Sequence, residues 1–485
     1  MGDQNGQPPM SQKNEGANKR IKLLNQDPAG EEFCEEEGSS DVEILDLAVG
    51  VRARQKRMTA FGMMNANATS RSAALHRRMR FPYACSYTHA AKKGGTPLLA
   101  VATEQGSVQI LDTSKRNDWD CEPQRTTMEI HQNGIFDVQW STCDSFLATV
   151  SGDQSTRITN IGTSRTLQIL RGHTSTVKSV AWDPSNPDML STGGRDGAIC
   201  LWDLRVQEMR QGAEDGIDVL APVLRIAGAG GGEAHKSRRG KATMACSAAR
   251  SVPSLVYPEG EFFGLISSSS FDGILRHWDL RLPTAARKNK SAKQVQPTQI
   301  SSYDPTMIHG SRRPHGIASV LAGYGPSAGL LFGLGTDSRI YTYMASSLQP
   351  LAENDAYTFS HPNMQTNSFY VRLSLSPNGQ WLASGSAGSG GSAFLYDVSR
   401  AGRANPILSG PYSNSSSDTA GVELKGQTGE VGSVDWAEEI LTTCADDGTV
   451  RIWRNDVEVK RLCEEDATHA KWDWAWAEDE AREKL

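Results

Sequence analysis

Four side chains in the middle of the chain have the residue types of hydrolytic chemistry. His173 carries an imidazole, Thr192 a hydroxyl and Asp196 a carboxylate, and Trp202 follows Asp196 by six residues. A hydroxyl, an imidazole and a carboxylate are what nucleophilic catalysis needs, provided the three converge. They are equally what a buried hydrogen-bond chain needs, because each group then finds a partner. Elsewhere the chain has no phosphate-binding glycine loop, no metal-ligand cluster and no nucleophile elbow with a base. The expectation is a non-enzyme without cofactor or metal. Another pair has no place in such a chain: Arg205 and Arg281, each preceded at two residues by Asp203 and Asp279. Guanidinium groups make forked, charge-assisted bonds to carbonyls and carboxylates, which suits a protein contact.

The elements that position these residues repeat. Residues 189–205 read MLSTGGRDGAICLWDLR, and residues 265–281 read LISSSSFDGILRHWDLR. Each runs from a small-residue strand through a tight Asp-Gly turn into a second strand ending in Trp-Asp, a hairpin signature. This resembles one blade of a WD-repeat propeller. Aligning on the residue six after each turn gives seven positions: Leu111, Thr159, Trp202, Trp278, Tyr343, Tyr396 and Trp453. A bare blade needs about 40–45 residues; the steps here run from 43 to 76 residues, so the long ones hold insertions. The expected fold is all-β, a closed seven-bladed WD40 β-propeller, completed by a segment before Pro82 or after Trp453. In WD repeats, His173, Thr192, Asp196 and Trp202 would form a buried structural chain. The residue before each turn Asp would point to the top surface. That makes Arg195, Phe271 and Asp446 candidates for a substrate-binding face.

Three regions are expected: an extension over 1–80, the propeller over 81–462 with an insertion at about 206–258, and a tail over 463–485. Residues 1–40 hold few bulky apolar groups and are read as disordered. Residues 51–80 carry eight Lys or Arg and no acid, a basic arm for phosphate or an acidic protein surface. Within it, Gln55, Met58 and Phe61 match the start of a sliding-clamp-binding peptide, with Gly62 where a second aromatic belongs. Lys19–Lys22, Lys236–Lys241 and Arg287–Lys293 are basic clusters suited to nuclear import or anionic contacts. Trp472, Trp474 and Trp476 alternate in the acidic tail and share one face of a strand. The net charge of −6 argues against a cationic nucleic-acid binder, so little direct sequence-specific DNA binding is expected. No apolar run approaches the roughly 20 residues that span a bilayer. None of the eight Cys forms Cys-x-x-Cys, which reads as buried thiols in a reducing compartment.

The doubled Trp-Asp-Leu-Arg resembles the box of cullin-four ubiquitin-ligase receptors. That resemblance implies that Arg205 and Arg281, with Asp203 and Asp279 holding the motif, face the ligase's propeller adaptor, the DNA-damage-binding protein. FPYACSYTHA, LLAVATEQGSVQILDT, IFDVQW, SGDQST, RGHTSTVKSVAWD and GGRDGAICLWDLR further resemble the denticleless family. So do FDGILRHWDLR, NSFYVRLSLSPNGQWLASGS and ADDGTVRIWR, over roughly residues 81–455. The resemblance implies a nuclear substrate receptor, of a short, fungal type. It would recruit replication and cell-cycle regulators, whose degrons bind the sliding clamp on DNA, for ubiquitination and degradation in S phase and after DNA damage. A general WD scaffold or histone-tail reader is the alternative.

Overall fold

The computed structural model describes residues 81–454, apart from 115–124, 207–209, 215, 232–249, 282–294, 352–356, 369, 389 and 402–420, and the backbone of 52–54 and 474–476. It is a seven-bladed β-propeller. Blade one comprises Pro82–Tyr87, Leu98–Thr103, Ser107–Asp112 and Arg125–Glu129. Blade two begins with Ile135–Trp140, Phe146–Ser151, Ser155–Asn160 and Arg165–Arg171. Blade three holds Val177–Trp182, Met189–Gly194, Ile199–Asp203 and Leu224–Ile226. Blade four holds Leu255–Val256, Gly264–Ser267, Arg276–Asp279 and Gln299–Ile300. Blades five and six start at Ile317 and Leu373. Blade seven has three strands among the described residues, Val431–Ala437, Ile440–Ala445 and Val450–Arg454.

One pairing recurs in every blade. The seven aligned residues all lie in third strands and are buried. Each is the cross-strand partner of a second-strand leucine: Leu99, Leu147, Leu190, Leu265, Leu331, Leu382 and Leu441 in blade order. In six of the seven a large residue opposite the leucine fills the space between two sheets, with Thr159 the exception, and close-packed burial of this kind is the main stabilising term. Accordingly the apolar core is divided into seams between neighbouring blades. Ile199, Leu201, Val252, Leu265 and Trp278 join blades three and four. Tyr87, Leu99 and Leu111 of blade one meet Ile440, Val450 and Ile452 of blade seven, which closes the ring.

First strands are also stitched across the seams by polar side chains. Val180 N–H donates to Asp137 Oδ2 at 3.1 Å, and Tyr87 N–H donates to Asp435 Oδ2 at 2.7 Å. Val320 N–H and Leu373 N–H donate to Ser254 Oγ and Ser319 Oγ at 3.0 and 3.2 Å. A buried backbone donor left alone is costly, so these links fix the register of each blade against the next.

Two expectations need correction. Residues 206–258 are not one insertion: Leu224–Ile226 is the fourth strand of blade three and Leu255–Val256 the first of blade four. Between the third and fourth strands of blade three, Arg210–Glu214 and Ile217–Leu220 form a hairpin. Its second strand runs parallel to Arg165–Arg171 and extends blade two to six strands. The segments expected to complete blade seven lie outside the described residues, apart from Arg52–Arg54, which pairs antiparallel with Trp474–Trp476. Finally, Cys143 is exposed, while Cys85, Cys200 and Cys444 are buried free thiols. The remainder of the arm and tail, the clamp-peptide match and the three basic clusters lie outside the described residues. No described helix is long and apolar enough to cross a membrane.

Candidate protein-docking faces

The catalytic-looking residues of blade three form one internal chain. His173 Nδ1 lies 3.1 Å from Asp196 Oδ1, and its Nε2 lies 2.8 Å from Thr192 Oγ1. Trp202 Nε1 donates to the same Thr192 hydroxyl at 2.9 Å. With both imidazole nitrogens engaged and the hydroxyl shared with an indole, none of these groups is free to attack a substrate. Other blades use variants. In blade two, His131 lies 2.8 Å from both Asp153 and Thr149. In blade seven Gln427 replaces the histidine, reaching Thr443 and Thr449, with Trp453 Nε1 on Thr443. In blade four Asp272 is gripped by the guanidinium of Arg276. Burial alone would push the Asp196 carboxyl up; His173 and the Thr174 and Ala198 N–H groups outweigh it and hold it well below the usual range.

Strand polarity separates the remaining candidates into two faces. Turns between second and third strands lie at the start of the third strand, and Trp-Asp lies at its end. Arg195, Phe271 and Asp446 therefore sit on one face of the disc, and Arg205 and Arg281 on the other.

Arg205 and Arg281 occupy equivalent places on neighbouring blades. In each, the Asp two residues earlier has two roles. Its Oδ1 accepts the arginine's backbone N–H at 3.0 Å, forming an Asx turn. The carboxylate also holds the guanidinium: Asp203 accepts from Arg205 Nε and Nη2 at 3.0 and 2.9 Å, and Asp279 accepts from Arg281 Nε and Nη2. The same turn recurs in blades one and six, where Ser114 and Ser399 stand in the arginine's place. The side chains stay open to solvent, Arg205 at 56% and Arg281 at 71% exposure. Each fork lowers its carboxylate's pKa. A guanidinium has five N–H donors; two groups face the aspartate, and the other edge remains for a partner.

On the opposite face, Arg195 and Asp446 take matching positions. The Arg195 N–H donates to Thr176 O at 2.8 Å, and the Asp446 N–H donates to Glu430 O at 3.0 Å. In blade four Ser270, not Phe271, makes that bond, to Ser251 O at 3.1 Å. The two similar stretches are thus one residue out of register. Leu190 pairs with Trp202, whereas Leu265 pairs with Trp278, so blade four carries an extra turn residue. Phe271 is exposed one position further on, under the Arg250 guanidinium at 3.8 Å.

Sequence reasoning missed the centre of this face. First strands bulge at Tyr83, Phe136 and Lys178, where pairing skips one residue. Tyr83 stacks on Tyr370 at 4.8 Å and lies 5.8 Å from Phe136; Phe136 lies 5.7 Å from Tyr370. Blade seven separates blades one and six, so these rings meet across the mouth of the central channel. Lys178 Nζ sits over Phe136 at 3.7 Å. Burial, with Arg372 and Arg195 nearby, pushes Lys178 down to about 8. Arg372 braces the ring below, donating to Pro253 O at 3.0 Å and Lys178 O at 2.8 Å. The signal was present as an aromatic or long side chain at the second position of the first strands of blades one, two and three, but only closure brings those positions together with Tyr370.

Comparison with known proteins agrees with this architecture. The family model described as "WD domain, G-beta repeat" matches residues 122–160, 164–203, 357–397 and 420–454. Denticleless protein homolog A of Xenopus laevis is 31% identical over 412 residues, 81% of this chain and 51% of that protein. Denticleless protein homolog of Danio rerio is 33% identical over 390 residues, 77% and 51% of the two chains. Cell division cycle protein cdt2 of Schizosaccharomyces pombe is 29% identical over 374 residues, 74% and 67%. The chain spans about half the length of the animal relatives it matches. With seven blades, paired Trp-Asp ends and this similarity across the propeller, the chain is a WD-repeat protein of the denticleless type.

Proposed function

We propose that this chain is the substrate-recognition subunit of a cullin-four RING ubiquitin ligase and works in the nucleus. Arg205 and Arg281, held by Asp203 and Asp279, dock on the ligase's propeller adaptor. The opposite face, with Arg195, Phe271 and Asp446 around the aromatic mouth, receives degron-bearing replication and cell-cycle regulators on the sliding clamp. The chain itself does no chemistry; it brings a substrate to the ligase for ubiquitination and degradation. The observation that carries this reading is the placement of two solvent-exposed, aspartate-oriented arginines on consecutive blades. Ser114, Gly162, Ser346 and Ser399 fill the corresponding places in blades one, two, five and six. An Arg already held in one rotamer loses less freedom on binding, so its fork is pre-organised for carboxylates and carbonyls. The test is a pull-down of the purified adaptor with wild type and the Arg205→Ala/Arg281→Ala double variant. Capture should vanish while the melting temperature stays put; retained capture refutes the assignment.

A further inference from the structure

The docking face also presents two phenylalanines to water. Phe262 and Phe263 lie in the turn between the first and second strands of blade four, and they are 75% and 50% exposed. Phe262 is the most exposed large apolar side chain among the described residues. Strand polarity puts this turn at the Trp-Asp end. The Leu280 N–H donates to Phe263 O at 2.8 Å, and Gly264 is the register partner of Asp279. The pair therefore abuts Asp279, Leu280 and Arg281.

The backbone supplies a second, independent observation. Phe263 is in the left-handed region at φ 66°. Glycine takes the left-handed place in the same turn of blades five and six, Gly329 and Gly379, and acidic residues take it in blades two and seven, Asp144 and Glu439. A bulky side chain there is disfavoured. Such strain survives where the surroundings over-determine it, and it gathers at functional sites. Here the Leu280 bond pins one side of the turn. His277 Nε2, 2.8 Å from Glu261 Oε2, pins the other. Phe263 nevertheless leaves half its surface in water.

We propose that Phe262 and Phe263 are the apolar anchor of the docking face whose charged rim is Arg205 and Arg281, filling an apolar pocket bordered by carboxylates on the adaptor. This rests on the adaptor reading above. Aromatic anchors beside forked cations are the composition of binding hot spots, where a desolvated centre carries the affinity and the charges orient it. Beside the pair, Pro258, Pro326, Leu330 and Met344, together with Glu259 and Glu261, line a cleft between blades four and five.

Adaptor affinity should be measured by calorimetry for wild type, Phe262→Ser, Phe263→Gly and Arg205→Ala/Arg281→Ala, with melting and size-exclusion runs on each. Phe262→Ser leaves the backbone untouched, and Phe263→Gly relieves the left-handed strain. Both should weaken binding fivefold or more without lowering the melting temperature. A smaller loss in Phe262→Ser overturns the anchor. So does loss of self-association with adaptor binding intact, which would assign the pair to a second copy of the chain. If the arginine variant binds normally while the phenylalanine variants fail, the arginine assignment falls and the anchor stands; the converse pattern removes the anchor alone.

Discussion

Blade two shows how a few polar atoms set acid stability. Burial alone would raise the Asp153 carboxyl; His131 at 2.8 Å, with the Ser155 hydroxyl and N–H, outweighs it and holds Asp153 at about 2. A carboxyl with a folded pKa below its unfolded value contributes stability that is fully present above the unfolded pKa. That stability is lost as pH falls through the folded pKa. Its window here is about pH 4 down to 2. His131 is itself pushed down by burial, so the unfolded chain takes up that proton first, and stability declines as pH drops below about 6.5. Asp153→Asn should flatten the fall in melting temperature between pH 4 and 2; an unchanged slope in a pH series of melts would show that the pair does not govern it. Gln427 makes the same point without a charge. Its amide serves buried Thr443 and Thr449, so Gln427→Ala should cost about 1–3 kcal/mol, read from urea unfolding.

At the scale of elements, the seam between blades one and seven decides whether the ring closes. Tyr87 is fully buried there, and its hydroxyl lies 2.6 Å from Thr442 and 2.9 Å from Thr113. Tyr87→Phe keeps the ring packing and leaves the Thr442 hydroxyl without the tyrosine, while Thr113 keeps its bond to Pro97 O, at a cost of about 1–3 kcal/mol. A midpoint within error of wild type in guanidinium unfolding would remove that seam from the stability account. The hairpins themselves were legible. Seven third-strand positions were found six residues after their turns, because a polar or glycine turn followed by an alternating apolar segment marks a hairpin by local chemistry, with Asp-Gly and Trp doing so in the blades of Trp202, Trp278 and Trp453. The leucine partners and the extra residue in blade four were not, because register depends on which strands meet across the sheet.

Over the whole molecule, the disc gives the proposed receptor two faces pointing in opposite directions. Changing one should leave the other intact. Arg195→Glu places a carboxylate beside Lys178 and the stacked rings, and it should lower capture of a clamp-bound degron several-fold while adaptor binding holds. Capture equal to wild type in a paired pull-down would take Arg195 out of the substrate face. The aromatic mouth belongs to this scale too: Tyr83, Phe136 and Tyr370 come from blades one, two and six.

By itself the sequence determined the repeat, the number of blades, the internal histidine chain and the surplus arginines. Each of these is written in short spacings that local turn and strand chemistry enforces. Tertiary structure alone decided how the ring shuts, that Phe271 slips one place past its expected position, and which rings crowd the channel. It also decided that the Phe262–Phe263 turn is tied to Leu280, the residue before Arg281. Those outcomes depend on residues far apart along the chain becoming neighbours, and the physical cause is the packing of one sheet against the next, which no single stretch encodes.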